Sequence, residues 1–289
     1  MKLALGTVQF GLDYGIANKH GRVPFDEAKA VLQYARSNGI DTLDTAIAYG
    51  DSEQRLGEIG VQNWNTVSKL PPIPTDCHNL AQWAMSAVSG SLTRLRIKGL
   101  YGLLLHRPLE LLGPRGVELY EALDLLKSDG LVQKTGVSVY DPAELTDLCA
   151  SYHFDLVQAP LSVMDRRMVD SGWLTRLGEL GTELHVRSIF LQGLLLMGPG
   201  ERPKSFDRWS ALWERYENWL AGAGLTRLQA CVRYALSFPE IGKVVIGVDS
   251  VDQLRDIVRA SRGPAPQVGD AFQTDEAELL NPARWATAG

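Results

Sequence analysis

The sequence has few cysteines, and they do not form pairs. Cys77, Cys149 and Cys231 are the three present, and they lie far apart in a chain of 289 residues. Disulfide frameworks and zinc ribbons need closely spaced or evenly numbered cysteines, whereas an odd and scattered set is typical of reduced thiols in a cytosolic protein. We therefore expect a cytoplasmic protein without a metal site.

Long apolar runs and clustered positive charge are also lacking. A membrane-spanning helix needs about 20 consecutive apolar residues, but the apolar run that begins at Ile189 is interrupted by Gln192 and Gly193. The apolar part of Met1–Phe10 is too short for a secretory signal. Lys and Arg number 29 against 34 Asp and Glu, a net charge of −5, which disfavours a nucleic-acid groove. We expect neither a membrane nor a nucleic acid as partner.

Short apolar segments alternate with longer amphipathic segments along the chain. Hydrophobic residues make up 45% of the sequence and charged residues 22%, as is usual for a globular protein with a large core. Several short segments are continuously apolar, which is typical of strands that are covered on both faces. The predicted strands are Leu3–Leu5, Thr42–Thr45, Thr66–Leu70, Gly102–Leu105, Thr135–Val139, Leu156–Ala159, Leu184–Ile189 and Val244–Val248.

Helix patterns occupy the intervals between these strands. Phe25–Asn38 carries apolar residues at helical spacing and is followed directly by Gly39, a common residue after a helix end. Eight strands alternating with helices predict an α/β protein, a single-domain (β/α)8 TIM barrel over residues 1–289, because such barrels take about 250 residues. The other predicted helices are Leu80–Leu95, Val117–Leu126, one opening at Asp141 and Pro142, Met168–Leu180, Thr226–Leu236 and Val251–Ala260.

Two regions fall outside this alternation. An inserted helical segment is predicted at about 198–222, after the seventh strand, and its aromatic residues recur every three or four positions. These aromatic residues either pack on the barrel wall or belong to a substrate lid, because the loops after the strands surround the active mouth of a barrel. From about residue 263 we expect a tail along the surface. The aromatic residues are Trp209, Trp213, Tyr216 and Trp219.

Polar residues stand at the ends of three successive predicted strands. Asp44 lies at the end of the second strand, and Tyr49 follows five residues later. Lys69 lies at the end of the third strand, and His106 follows the fourth. All strands of a parallel barrel end on the same face, where barrel enzymes have their active sites. Each residue alone has an ordinary structural explanation, but together they favour a catalytic site.

These residue types suit the reduction of a carbonyl group, which needs hydride at carbon and a proton at oxygen. A free tyrosine has a pKa near 10, and a neighbouring ammonium lowers it by favouring the phenolate. We expect Lys69 to act in this way on Tyr49, the general acid, while Asp44 holds Lys69 in place. His106 would donate a hydrogen bond to the substrate oxygen. Such proton transfer contributes about 10² to 10⁴ in rate.

Several long motifs resemble those of the aldo-keto reductase superfamily. Residues 44–53 followed by Gly57 resemble its second-strand signature, and Val67–Lys69 resembles its lysine strand. Ser91–Leu95 followed by Leu103–Pro108 resembles its third helix and fourth strand. The resemblance covers nearly the whole chain. It implies a (β/α)8 barrel with NADP(H) bound across the strand ends. The catalytic tetrad that it implies is Asp44, Tyr49, Lys69 and His106.

The resemblance also implies the cofactor contacts. Ser138 and Gln158 match residues that hold the nicotinamide carboxamide, although Val139 stands where the family has Asn. Arg187 replaces an aromatic residue that stacks on nicotinamide, and a guanidinium can also stack on a flat ring. Together, the predicted cofactor-binding residues are Gly6, Thr7, Asp44, Ser138, Gln158, Arg187, Ser188, Gly193, Gly247, Asp249 and Gln253.

The stretch implied to bind the adenosine phosphate departs from the family pattern. Gly247 and Gln253 match, and the start of a helix there would offer backbone N–H groups to a phosphate. The family's basic residue for the 2′-phosphate is absent, Ile257 replaces a later Asn, and Asp249 adds negative charge. A carboxylate repels a 2′-phosphate but accepts a hydrogen bond from a free ribose hydroxyl. Arg255 is a nearby cation, so both NADP(H) and NAD(H) stay open as cofactors.

Three functions are compatible with these residues. The full tetrad favours an NAD(P)H-dependent oxidoreductase that reduces an aldehyde, ketone or sugar carbonyl reversibly. The alternatives are a redox-neutral sugar conversion with bound cofactor and a non-catalytic, cofactor-sensing partner protein. The small-molecule substrate depends on loops that vary independently of the tetrad. We expect a monomer or a small homo-oligomer.

Overall fold

The computed structural model describes residues 1–18 and 21–285. Its eight strands are parallel and close into a barrel in chain order, with the first strand paired to the eighth. The prediction of a single-domain (β/α)8 barrel is confirmed. The strands are β1 (Leu3–Gly6), β2 (Thr42–Asp44), β3 (Asn65–Leu70), β4 (Leu100–Leu105), β5 (Val132–Ser138), β6 (Leu156–Pro160), β7 (Glu183–Arg187) and β8 (Ile241–Gly247).

Amphipathic helices form the outer layer and pack their apolar faces on the barrel. Within the described part of the chain, no helix is both long and apolar enough to cross a membrane. The α-helices are α1 (Val8–Gly11), α2 (Phe25–Ser37), α3 (Ser52–Ile59), α4 (Leu80–Leu95), α5 (Gly116–Ser128), α6 (Glu144–Ser151), α7 (Arg167–Asp170), α8 (Trp173–Glu179), α9 (Ser210–Ala223), α10 (Arg227–Leu236), α11 (Val251–Ala260) and α12 (Ala277–Leu280). Short 3-10 helices occupy Pro108–Leu112, Leu194–Leu196, Lys204–Trp209, Asp270–Phe272 and Pro282–Arg284.

A small apolar cluster lies inside the barrel, separate from the main core under the helices. Val67, Leu104 and Leu156 form it, and all three are fully buried. Lys69 lies two residues beyond Val67 on β3, so its side chain points to the same face of the strand, nearer the carboxyl end. The apolar cluster therefore forms a packed floor beneath that end of the barrel.

Some element boundaries differ from the sequence prediction. β7 ends at Arg187 rather than Ile189, because Ser188 has a φ of +62° and a strand cannot continue through that conformation. The single helix predicted at Met168–Leu180 is two helices, α7 and α8, with Gly172 at a φ of +75° between them. The short, polar helix α3 was missed because its residues lie within the tetrad signature and carry few apolar side chains.

Helix α9 lies in the connection between β7 and α10, within the region predicted as an inserted helical segment. The Trp213 indole donates to the carbonyl oxygen of Phe206 at 3.0 Å. The rings of Tyr216 and Trp219 pack against Phe272, with centroids 5.5 and 4.9 Å apart. The C-terminal segment thus covers α9; its last residues, 286–289, lie outside the described part of the chain.

Candidate active site

The predicted catalytic residues meet at the carboxyl end of the barrel. Asp44 is the last residue of β2, and Lys69 is the last but one of β3. His106 follows β4 directly, and Tyr49 lies in the turn between β2 and α3. Because parallel strands all end on one face, residues distant in sequence surround one small volume.

Lys69 and Asp44 form a buried ion pair. The Nζ of Lys69 donates to both carboxylate oxygens of Asp44, at 2.7 and 2.8 Å, and to the carbonyl oxygen of Thr45 at 2.9 Å. Lys69 is 1% exposed and Asp44 is 5% exposed. Three acceptors compensate the ammonium for its lost hydration and fix its position.

Tyr49 lies beside both Lys69 and His106. The Nζ of Lys69 is 5.2 Å from the centre of the Tyr49 ring. The His106 ring approaches Tyr49 edge-on, with ring centroids 6.2 Å apart. The phenol, the ammonium and the imidazole therefore border a common space at the mouth of the barrel.

The pKa of Tyr49 is raised, contrary to the expectation that Lys69 lowers it. Burial of the phenol is the main cause, the Asp44 carboxylate adds to it, and the Arg187 guanidinium opposes it. The Asp44 carboxylate, bound directly to Lys69, offsets the field of the ammonium. Burial also lowers the pKa of Lys69, and Asp44 opposes this shift. Tyr49 therefore holds its proton at neutral pH.

The imidazole of His106 is kept neutral by its surroundings. Burial lowers its pKa to about 4, and the positive charges of Lys69 and Arg187 act in the same direction. A neutral imidazole carries one N–H, so it can donate one hydrogen bond to a substrate oxygen without adding a positive charge.

Gln158 and Ser138 extend the hydrogen-bond network from Asp44 across the barrel. The Nε2 of Gln158 donates to Oδ2 of Asp44 at 2.7 Å, and the Ser138 hydroxyl donates to Oε1 of Gln158 at 3.4 Å. Both side chains are buried. Because Asp44 holds the Nε2, the remaining polar atoms of this pair are the Gln158 Oε1 acceptor and the Ser138 hydroxyl.

Arg187 lies at the end of β7 with its guanidinium held against the end of β5. Its Nη2 donates to the carbonyl oxygen of Val139 at 2.9 Å, and its Nη1 donates to the Ser188 hydroxyl at 3.2 Å. The guanidinium carbon is 4.7 Å from the centre of the Tyr140 ring. Arg187 thus presents a flat, positively charged group on the wall of the site.

Thr7 has a structural contact in addition to its position in the site. Its hydroxyl donates to the carbonyl oxygen of Asp44 at 3.0 Å and accepts from the Ser52 hydroxyl at 3.0 Å. It therefore joins the end of β1, where Gly6 lies, to the end of β2 and the start of α3.

Gly247, Asp249 and Gln253 lie away from the tetrad, between the end of β8 and the first turn of α11. The backbone N–H of Asp249 donates to Oε1 of Gln253 at 2.8 Å. Ser250 caps α11, because its hydroxyl accepts from the Gln253 N–H at 3.2 Å. These residues form a compact turn over the end of the barrel.

One cavity of about 640 Å³ joins the tetrad to the start of α11. Its volume lies in the range of small-molecule and cofactor pockets. Every residue predicted as catalytic or cofactor-binding borders this cavity. The structure thus brings the whole predicted set together.

The sequence prediction misses several residues that border the cavity. Tyr14 lies in the loop after β1, Phe190 and Gln192 lie in the loop after β7, and Tyr140 follows β5. The Tyr14 hydroxyl accepts from Nε2 of Gln192 at 3.0 Å, which joins two of these loops. Loop side chains follow no period, so only their position just after predicted strands could have indicated them.

The aromatic residues of the α9 region have other contacts. Trp209, Trp213 and Trp219 are absent from the described lining of the cavity. The Trp209 indole donates to Glu276 at 2.8 Å, and that of Trp219 donates to the carbonyl oxygen of Gln267 at 2.9 Å. These contacts join α9 and the 3-10 helix before it to the C-terminal segment.

Glu53 accounts for part of the second-strand signature. Its buried carboxylate accepts from the hydroxyls of Ser68 and Ser91, each at 2.7 Å, and from the Arg94 guanidinium at 2.7 and 2.9 Å. The carboxylate thereby joins α3 to β3 and α4. These motif residues hold the framework around Tyr49 and Lys69.

Comparison with known proteins agrees with this architecture. The sequence is 24% identical over 264 residues to the uncharacterized oxidoreductase YqkF of Bacillus subtilis (strain 168), and the match covers 82% of each protein. The aldo-keto reductase AKR11C1 from Bacillus halodurans, in its holo form, has a TM-score of 0.73 at 21% identity and covers 95% of this chain and 94% of its own.

A second solved structure has the same fold. The glycerol dehydrogenase AKR11B4 from Gluconobacter oxydans has a TM-score of 0.70 at 20% identity and covers 96% of this chain and 92% of its own. Residues 2–267 match the aldo/keto reductase family. The chain therefore belongs to the aldo/keto reductase family, whose members generally reduce carbonyl groups with NAD(P)H.

Proposed function

We propose that this protein is an NAD(P)H-dependent oxidoreductase that reduces an aldehyde, ketone or sugar carbonyl, with Tyr49 as the proton donor. The main support for the proposal is the position of the Tyr49 ring beside the Lys69 ammonium and the His106 ring, at 5.2 and 6.2 Å from its centre, at the mouth of the barrel. The buried ion pair of Lys69 with Asp44 supports the proposal. Burying two charges costs free energy and often adds no stability, so a role in the reaction explains the pair better than a role in folding.

The residues around the cavity fit a nicotinamide dinucleotide. Ser138 and Gln158 offer a hydroxyl and a carbonyl oxygen, which suit the carboxamide of nicotinamide. The Arg187 guanidinium is flat and borders the same space. The cavity continues from there to the start of α11 and so provides room for an elongated ligand. When bound, the reduced nicotinamide supplies the hydride for the carbonyl carbon.

The protein's own residues supply the proton and orient the oxygen. His106, uncharged at neutral pH, donates a hydrogen bond to the carbonyl oxygen. Tyr49 transfers its proton to that oxygen as negative charge develops there, because an alkoxide is a stronger base than a phenolate. The O–H bond of Tyr49 breaks, the O–H bond of the alcohol forms, and the ammonium of Lys69 stabilises the resulting phenolate. Asp44 keeps that ammonium charged and in place.

The replacement Tyr49→Phe tests this proposal. It removes the proton donor and keeps the ring, so we expect kcat for a panel of aldehydes to fall about 10² to 10⁴-fold. Because Tyr49 donates only in the chemical step, the Kd for the reduced cofactor should change little. The loss of cofactor absorbance measures kcat, and fluorescence titration measures the Kd for the cofactor.

Tyr120→Phe is the matched control. Its hydroxyl donates to the carbonyl oxygen of His153, on the outside of the barrel, so kcat should match that of the wild type. If Tyr49→Phe retained full activity, the proposed role of Tyr49 would be wrong. Tight cofactor binding by the wild type without turnover of any carbonyl would instead favour a cofactor-sensing partner protein.

A further inference from the structure

Arg187 lies in the same cavity as the predicted catalytic residues. Tyr49, Lys69, His106 and Arg187 all border it. A hydride passes between atoms about 3 to 3.5 Å apart, and an oxygen that takes the proton of Tyr49 lies within about 3.2 Å of the phenol oxygen. A nicotinamide ring that takes part in the proposed reaction therefore has to lie within a few ångströms of Tyr49, in the space that Arg187 borders.

The guanidinium of Arg187 is held by neutral groups. These are the carbonyl oxygen of Val139, the hydroxyl of Ser188 and the ring of Tyr140. In residues 1–18 and 21–285, Arg187 forms no ion pair with a carboxylate. The carboxylate of Glu144, on α6, accepts instead from two backbone N–H groups of the preceding loop, at 3.0 and 3.3 Å. Because a guanidinium keeps its proton in proteins, the wall of the cavity carries a positive charge here.

The charge of Arg187 acts on the groups that face this space. Burial is the main cause that lowers the pKa of Lys69 and of His106, and the Arg187 guanidinium acts in the same direction on both. Burial is also the main cause that raises the pKa of Tyr49, and the guanidinium opposes that shift. In each case Arg187 disfavours a positive charge or favours a negative one. A positive charge on a bound ligand at this position is disfavoured for the same reason.

The two oxidation states of a nicotinamide ring differ in charge. The reduced ring is neutral, and the loss of a hydride, with its two electrons, leaves one positive charge on the oxidised ring. Lysine and arginine occur in the described lining of the cavity as Lys69 and Arg187. The charge of Lys69 is offset by Asp44, whose carboxylate lies 2.7 Å from its ammonium. Arg187 therefore repels the oxidised ring and leaves the reduced ring unaffected, and this repulsion is stronger in a partly buried site than in bulk water.

We propose that Arg187 makes the site bind the reduced nicotinamide cofactor more tightly than the oxidised one. The preference applies to NAD(H) and to NADP(H) alike, because both carry the same nicotinamide. Oxidised cofactor formed in a turnover is then released more easily than reduced cofactor, which favours reloading of the site for the next reduction. This role of Arg187 rests on the proposed function, because it requires a nicotinamide dinucleotide in the cavity.

Cofactor binding measured without a carbonyl substrate tests the preference. Calorimetric titration of the full chain with NADH, NAD⁺, NADPH and NADP⁺ gives the dissociation constants. Within each pair the adenosine half is the same, so the ratio of the oxidised to the reduced Kd reports on the nicotinamide alone. We expect this ratio to be at least about tenfold in each pair that binds, because like charges placed side by side strongly disfavour binding.

The variants Arg187→Gln and Arg187→Lys test whether the charge of Arg187 is the cause. Gln removes the charge and keeps a flat polar group, so we expect the ratio to fall about tenfold. Lys keeps the charge and loses the flat group, so the ratio should stay close to that of the wild type. Arg36→Gln is the matched control, because the Arg36 guanidinium also lies over an aromatic ring, that of Trp64 at 5.3 Å, but on the exposed face of α2. It should leave the ratio unaltered.

The outcomes separate this role of Arg187 from the proposed function. If the wild type bound the oxidised cofactor as tightly as the reduced one, the preference would be overturned and the proposed function would stand; this measurement needs no variant. An unchanged ratio in Arg187→Gln, or an equal fall in Arg187→Lys, would overturn the assignment to the charge of Arg187. If neither NADH nor NADPH bound to the wild type, the proposed function itself would fail.

Discussion

At the scale of single residues, burial sets the charge of the groups around Tyr49. It raises the pKa of the phenol and lowers that of the His106 imidazole to about 4. Tyr49 is therefore protonated and His106 is neutral over the same broad range of pH. Both groups are thus ready for the proposed reaction without a change of protonation before the substrate binds.

His106 should make the stability of the protein depend on pH. Between its ordinary value of 6.5 and about 4, the imidazole is neutral in the folded state and protonated in the unfolded state. The unfolded state then binds more protons, so the free energy of unfolding rises with pH across this window and falls on acidification. We expect His106→Gln to reduce the slope of the unfolding free energy against pH by the equivalent of up to about one bound proton.

Urea unfolding at several pH values within that window measures the effect for the wild type and for His106→Gln. His153 is on the outside of the barrel, and His153→Gln serves as the control that should leave the slope closer to that of the wild type. Equal slopes for the wild type and His106→Gln would show that the imidazole is protonated in the folded protein as readily as in the unfolded one.

At the scale of elements, the loop after β7 shapes the mouth of the cavity. Ser188, Leu191 and Gln192 have positive φ values, and Gly193 follows with a φ of +93°. A Cβ on Gly193 would lie 2.4 Å from the Cβ of Ala17, in the loop after β1. The two loops therefore meet so closely that only a glycine fits at this position.

Gly193→Ala should destabilise this contact. The positive φ disfavours a side chain and the new Cβ clashes, which together cost about 2 to 4 kcal/mol of unfolding free energy. The double variant Gly193→Ala with Ala17→Gly removes the clash but not the backbone strain, so it should recover part of the loss. Denaturant unfolding measures both variants, and no recovery in the double variant would show that the close contact is not the cause.

Periodicity predicts some elements of this fold well and others poorly. The continuously apolar run at Gly102–Leu105 predicts β4, because a strand buried on both faces has few polar residues. The amphipathic pattern at Leu80–Leu95 gives the bounds of α4 as the structure has them. Helix α3 has no such pattern, because Glu53 and Arg55 are buried charged residues within it. Its stability comes from contacts with other elements, which a local pattern does not contain.

At the scale of the whole molecule, the closed barrel makes the site predictable. Once the strands are known to be parallel, the residues at their ends must converge, and the predicted set does border one cavity. The sequence could not indicate that Asp44 offsets the effect of Lys69 on Tyr49. It also could not indicate that the Glu27 carboxylate accepts a hydrogen bond from the Val251 N–H at the start of α11, since Glu27 and Val251 are 224 positions apart.

The transfer of deuterium from labelled cofactor to product shows whether the protein reduces a carbonyl by hydride transfer with Tyr49 as proton donor. The enzyme is incubated with a reactive aldehyde and NADH or NADPH that carries deuterium at the transferable position of the ring. We expect one deuterium on the new alcohol carbon, a stoichiometric loss of reduced cofactor, and almost no product with Tyr49→Phe. Alcohol without deuterium, or equal product from Tyr49→Phe, would contradict it.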